Sequence, residues 1–282
     1  MEAILVPVDF SSTSMNAAAY AMNYAKQVGG KIILLHVFEC PLVYPIYQGA
    51  EISPQGLRDI NKKELHLLAA QLTEKEPLVK VECMLYDGKL IEVIKQLEEA
   101  MLISLVIMGI TGVGRMTEKL IGSNTLDVSK HICTPVMIIP DKVSFVKVTD
   151  IGLTTDFRDV VETIPEKMVK KIIDATGAKL HVLNVDFANQ WTEDVLFESG
   201  LVENMFEHYH PKYHFIDRDN LVDGLNEYAE KYSIELLIVI PQKHNIIEKL
   251  FAGSHTKELI FHGEVPVLIM HSNIVKQPAM AS

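Results

Sequence analysis

At 282 residues the chain exceeds most single domains, so two domains are expected. Its 48% hydrophobic and 22% charged residues are those of an ordinary globular protein, and no apolar run reaches the ~20 residues that span a bilayer. A formal charge of −11 argues against nucleic-acid binding, which relies on clustered Lys and Arg, but leaves room for a mononucleotide held by a few backbone donors.

The N-terminus, Met1-Glu-Ala-Ile-Leu, lacks a basic region and enters strand-like sequence at once, which predicts no signal peptide and a cytoplasmic location. A first strand, Ile4-Leu-Val-Pro-Val-Asp9-Phe10, leads into a helix that stops at Gly29-Gly30, and a second strand follows at Ile32–Phe38. Next come a long loop, Cys40–Gly49, a helix, and two further strand–helix steps; the strand Thr134-Pro-Val-Met-Ile-Ile-Pro140 closes this half. Ile151-Gly-Leu-Thr-Thr-Asp156-Phe157 then repeats the opening, Gly177 repeats the helix stop, Leu180–Asp186 the second strand, and Val265–His271 the closing one. The counterpart of the long loop is expected at Phe187–Glu203. Each loop reads as a cover for a ligand or partner, or as a local lid over the helix layer.

Apolar strands alternating with helices predict a parallel sheet covered on both faces. The chain therefore reads as two tandem α/β domains, 1–142 and 147–275, with 276–282 a loose tail. The cysteines, Cys40, Cys83 and Cys133, show no C-x-x-C spacing, which argues against a disulfide framework or zinc. Pro211 interrupts the histidines of Glu207–His214, so that segment reads as a surface loop leading into a strand rather than as a metal site.

Val106-Ile-Met-Gly109-Ile-Thr111-Gly112, followed by Gly122-Ser123-Asn124-Thr125, carries the chemistry. A buried strand, a glycine-bearing loop and a helix start offer close-approaching N–H groups and then a positive dipole end, as a phosphate requires. The alternative is a set of turn glycines with an Asn124–Asp127 capping box. Asp9 and Val37, at neighbouring strand ends, read as a carboxylate for a ribose or amine and an apolar wall for a base; the plainer readings are a helix N-cap and core. Gly109 reads as letting a sugar approach the backbone, and Arg115 and Lys119 on the intervening loop read as candidates for terminal phosphates or as solvated loop charges. No P-loop, no G-x-G-x-x-G after the first strand and no nucleophile–base pair accompanies the motif, so at most weak hydrolysis is expected.

Together these residues resemble the universal stress protein family in its tandem form. The resemblance rests on the Ile-Leu-Val-Pro-Val-Asp-Phe-Ser opening, His36-Val37, the G-x2-G-x9-G-S motif and the terminal Pro-Val-Met-Ile-Ile-Pro strand. It implies two five-stranded parallel-sheet domains, Rossmann-like and akin to adenine nucleotide alpha-hydrolases. Its nucleotide is ATP, with ADP or AMP as alternatives and Mg as an optional companion. Asp9 and Val37 would meet adenine and ribose. Pro7, Met108 and Gly109 would line the sugar, and Gly112, Gly122, Ser123, Asn124 and Thr125 would hold phosphates, with Thr111 completing the set. Family members dimerise through their last strands, which implies an intramolecular pseudo-dimer through Val136–Ile139 and Val267–Met270; dimerisation of whole chains stays open.

The second half departs from the pattern, reading Pro241-Gln-Lys-His244 where the glycines should stand. One nucleotide per chain is therefore expected, with Asp156 and Val185 leaving at most a base-sized remnant pocket. The resulting expectation is a nucleotide-linked sensor or regulator with an unknown protein partner. A slow ATPase and a nucleotide-independent scaffold are the alternatives.

Overall fold

The computed structural model describes residues 2–39, 46–47, 50–51, 53–110, 123–185, 192–216, 221–241 and 265–272. These fall into two compact units, one ending at Phe145 and the other starting at Val146.

In the first unit the chain runs β1 (Ala3–Pro7), α1 (Ser12–Val28), β2 (Lys31–Phe38), β3 (Ile46–Tyr47), β4 (Ala50–Glu51), α2 (Pro54–Lys75), β5 (Val81–Asp87), α3 (Leu90–Ala100), β6 (Leu105–Ile110), α4 (Ser123–His131) and β7 (Val136–Pro140). Five strands pair in the order β5-β2-β1-β6-β7, all parallel, while the two-residue β3 and β4 form a small antiparallel pair. Leu5, Ile32, Ile33, Leu34, Leu35 and Ile107 are wholly buried, which explains why β1, β2 and β6 are apolar without alternation. Each such side chain contributes roughly 1.5–3 kcal/mol relative to exposure.

Helix α1 presents Ala17, Ala18, Ala21 and Ala25 to the core, all at 0% exposure, and these small side chains let its backbone lie close to the sheet. Ser11 caps its start by accepting the Ser14 N–H, and Gly29 ends it at φ 70°. Beyond β7, Asn16 donates to the carbonyls of Pro140 (3.3 Å) and Val143 (3.0 Å), and Tyr20 meets Phe145 edge-on at 5.1 Å. These contacts hold the segment after β7 against α1.

The second unit runs β8 (Asp150–Thr155), α5 (Val160–Thr163), α6 (Glu166–Thr176), β9 (Lys179–Asn184), α7 (Glu193–Phe206), β10 (Lys212–Phe215), α8 (Leu221–Tyr232), β11 (Leu236–Val239) and β12 (Val267–Ile269). Its strands are again all parallel, in the order β10-β9-β8-β11-β12. Gly177 ends α6 at φ 70°, matching Gly29.

Two expectations need correction here. The single helix expected after β8 is two, because Pro165 follows Ile164 and both disfavours helical geometry before it and withholds an N–H. Most of the expected loop at Phe187–Glu203 is α7: the Thr192 side chain accepts the Val195 N–H, and Glu193 and Asp194 in the first turn favour the dipole. The earlier part of that loop, 187–191, lies outside the described residues, as does most of Cys40–Gly49.

A polar cluster around the buried His181 joins β8, β9, β10 and α8. His181 is 1% exposed, its Nε2 lies 2.9 Å from an Asp150 carboxylate oxygen, and its Nδ1 lies 3.0 Å from His214 Nε2. The His214 ring packs on Tyr232 at 4.1 Å, and Lys231 stands 5.1 Å above that tyrosine. Burial, then the neighbouring His181, Lys212 and Lys231 charges, lower the His214 imidazole to about 4.

Candidate functional site

The order β5-β2-β1-β6-β7 means that the chain leaves β1 toward β2 but returns from β5 to β6 on the other side of β1. That reversal makes the carboxyl ends of β1 and β6 the switch point, the edge at which open α/β sheets bind ligands. Register places the expected residues there. Pro7 pairs with Leu35, so Asp9 and Val37, each two residues further on, stand level on adjacent strands. Ile4 pairs with Leu105, so Gly109 stands level with Val8.

Asp9 is exposed, and its carboxylate is oriented through Oδ1. Oδ1 accepts the Ser11 N–H at 3.0 Å and also the Ser11 hydroxyl, while the Asp9 N–H donates to Ser14 Oγ at 3.3 Å. Partial burial pushes this carboxyl up, but the hydrogen bonds from Ser11 and Ser14 outweigh it, so the group sits below the ordinary carboxylate value and is ionised at neutral pH. The carboxylate is thus held by Ser11 and Ser14 while staying exposed at the strand end. The helix cap is Ser11, not Asp9.

The loop behind Asp9 is braced by His36, a residue the sequence reading quoted without a role. It is 8% exposed, and its Nδ1 lies 2.7 Å from the Val8 carbonyl, which can only accept, so that nitrogen carries the proton. The Val8 N–H in turn donates to Leu35 at 2.8 Å. Phe10, held at φ 62°, lays its ring 4.6 Å from the His36 ring. Val37 is half-buried, so part of its apolar surface stays accessible at the strand end.

Pro7 and Met108, expected to line a sugar, are buried in their strands. Gly109 has a reason of its own in the fold. A Cβ there would run into the Thr13 carbonyl of α1, its carbon 2.7 Å away, with Ala17 Cβ at 3.4 Å. The close seat of α1 on β6 thus demands glycine before any ligand is considered.

Thr125 is 4% exposed, and its hydroxyl donates to the Gly109 carbonyl at 3.0 Å, tying the first turn of α4 to the end of β6. The first N–H groups of α4 have no intrahelical partner and mark its positive end. Ser123 opens the helix, and the exposed Asn124 lies inside the first turn rather than ahead of it, so it is not the capping residue of a box with Asp127. Thr111, Gly112 and Gly122 lie outside the described residues, with Arg115 and Lys119.

At the matching edge of the second unit the same residue types are sealed in. Asp156 is 0% exposed, Phe157 1%, Val185 5% and Ile240 1%. The remnant pocket expected at Asp156 and Val185 therefore does not open at those two side chains.

Residues 1–140 match the model of the universal stress protein family. The chain belongs to the universal stress protein family. Among solved structures, a universal stress protein from Archaeoglobus fulgidus DSM 4304 is similar over 95% of this chain and 98% of its own, with a TM-score of 0.71 at 19% identity. A functionally unknown protein from Pseudomonas aeruginosa PAO1 is similar over 97% and 93%, with a TM-score of 0.60 at 13% identity. At such identities the likeness is one of fold, and it spans both units of this universal stress protein. No curated protein matches the chain. Among the described residues no helix is long and apolar enough to cross a membrane.

Proposed function

We propose that this universal stress protein is a nucleotide-linked regulator with one adenine-nucleotide site, in its first unit. The observation that carries the reading is the edge where an exposed Asp9 carboxylate, oriented through one oxygen, stands level with the half-buried Val37 beside Gly109. The Asp9 carboxylate suits a ribose hydroxyl or an amine as donor, Val37 offers the wall for a base, and the start of α4 offers N–H groups to a phosphate. Thr125, by holding α4 to Gly109, fixes the distance between the base end and the phosphate end.

ATP is the proposed ligand, or ADP or AMP, with Mg on the phosphates as an optional companion. Thr111, Gly112, Gly122, Ser123 and Asn124 complete the phosphate end of this proposal. Nucleotide binding shifts the affinity for a protein partner, in the cytoplasm. The sealed Asp156 and Val185 support a single site.

Calorimetry on the full chain tests this. One ATP per chain is expected, lost in Gly122→Val and weakened in Asp9→Asn. Two equivalent sites, or undiminished binding in Gly122→Val, would overturn it.

A further inference from the structure

The second unit carries an open cleft of about 490 Å³ that the nucleotide reading does not use. It lies just beyond the carboxyl end of β8. Phe157 lies at its base, Arg158 and Asp159 form one side, and the first turns of α7, with Asp194, Phe197 and Glu198, form the other. Its chemistry is the reverse of a phosphate cradle. Three of the residues lining it are carboxylates and one is an arginine. Glu198 spends one oxygen on the Val160 N–H at 2.8 Å, capping α5, whereas Asp159 and Asp194 are exposed, as is Glu193 beside them.

Phe197 lines this cleft, and further apolar side chains are exposed on the helices α5 and α7 beside it. Phe197 is 68% exposed, Leu196 59% and Val161 59%, on two helices, α5 and α7, that contact each other. A large apolar side chain left open in the wall of a cleft, as Phe197 is, offers an interaction surface. We propose that this cleft docks a segment of another protein in which a Leu- or Phe-type side chain stands next to Lys or Arg. The apolar side chain covers Phe197 and enters between α5 and α7, and the cation meets Asp159 and Asp194. Charge complementarity selects this occupant: an acidic or phosphorylated segment would meet two exposed carboxylates in place. The surface lies wholly in the second unit, so the proposal stands apart from nucleotide binding in the first.

Fluorescence anisotropy on the full chain tests it, with a labelled short peptide alternating Lys with Leu, a Glu–Leu counterpart and a Lys–Ser counterpart. The Lys–Leu peptide should bind more tightly than both others. The double variant Asp159→Lys/Asp194→Lys, and separately Phe197→Ser, should each weaken it by about tenfold or more. These side chains are exposed, so unchanged unfolding midpoints should accompany the loss. Equal binding of the Glu–Leu or Lys–Ser peptide, or affinity insensitive to both variants, would overturn the proposal. So would a chain dimer in sedimentation that Phe197→Ser dissolves, because the occupant would then be a second copy of this chain.

Discussion

The two units solve the same crossing in opposite ways, at residues that register makes equivalent. Leu105 pairs with Ile4 and Leu236 pairs with Ile151, so Gly109, four residues past the first, corresponds to Ile240, four past the second. In the first unit α1 is one continuous helix whose Thr13 carbonyl occupies the space a Cβ at 109 would need. In the second, Pro165 splits the helix, leaving the single turn of α5, and Ile240 is accommodated at 1% exposure. Asp9 stays exposed with one oxygen held, whereas Asp156 is wholly buried. A glycine lost from a binding motif is therefore also a change in how a helix seats on its sheet.

The largest effects should come from exchanging these two residues. Ile240→Gly removes a buried side chain and should cost about 4 kcal/mol in the second unit. Gly109→Ala should cost about 3 kcal/mol in the first, because the obstacle is backbone and no rotamer relieves it. Hydrogen exchange within each unit reads both. If Gly109→Ala left the first unit's protection unchanged while ATP binding vanished, the glycine would serve the ligand rather than α1, and the comparison would break.

The paired aspartates sharpen it further. Asp156→Asn, at a fully buried carboxylate, should destabilise the second unit by about 2 kcal/mol and leave ATP affinity alone. Asp9→Asn should do the reverse, weakening ATP by about tenfold with little change in stability. Matched calorimetry and urea unfolding separate the two outcomes; equal loss of stability in both variants would deny Asp9 a ligand role.

A third contrast depends on pH. Register makes His181 and His214 the counterparts of Ile33 and Met84, so only the second unit has an imidazole pair here, one ring buried and the other partly so. Unfolded, His214 titrates near 6.5; folded, it is lowered to about 4. Between those values the unfolded chain binds a proton that the folded one refuses. Stability of the second unit should thus fall as pH drops from 6.5 toward 4, and this group contributes no slope above 6.5. His214→Phe, which keeps an aromatic ring against Tyr232, should flatten that slope in exchange measurements on β10 and α8. An undiminished slope would place the titration elsewhere.

Much of this was legible in order along the chain. Apolar strands, the Asp-Phe openings and the glycine helix stops are local signals, and the structure has them where periodicity put them. Signals for α5 and α6 and for α7 are local too, in Pro165 and in Thr192-Glu193-Asp194, and the analogy between halves hides them. What no local reading reaches is partnership across the fold. Gly109 is explained by Thr13, Thr125 by Gly109, and His181 by a histidine 33 residues away. For the candidate site, the level placement of Asp9, Val37 and Gly109 follows from strand order, whereas the bracing by Ser11, Ser14 and His36 does not show in the sequence.

The smallest expected effect is one where the units should not differ at all. Gly29 and Gly177 both end their helices at φ 70°, and a Cβ at either would meet nothing within 4 Å. Substitution to alanine therefore meets no steric obstacle, and its cost is the left-handed backbone alone, about 1 kcal/mol in each case. Equal losses in Gly29→Ala and Gly177→Ala, read by exchange in the helix ends they cap, would show that the units share local backbone physics and diverge only where distant elements meet. A loss confined to one of them would mean that the divergence reaches the helix ends as well.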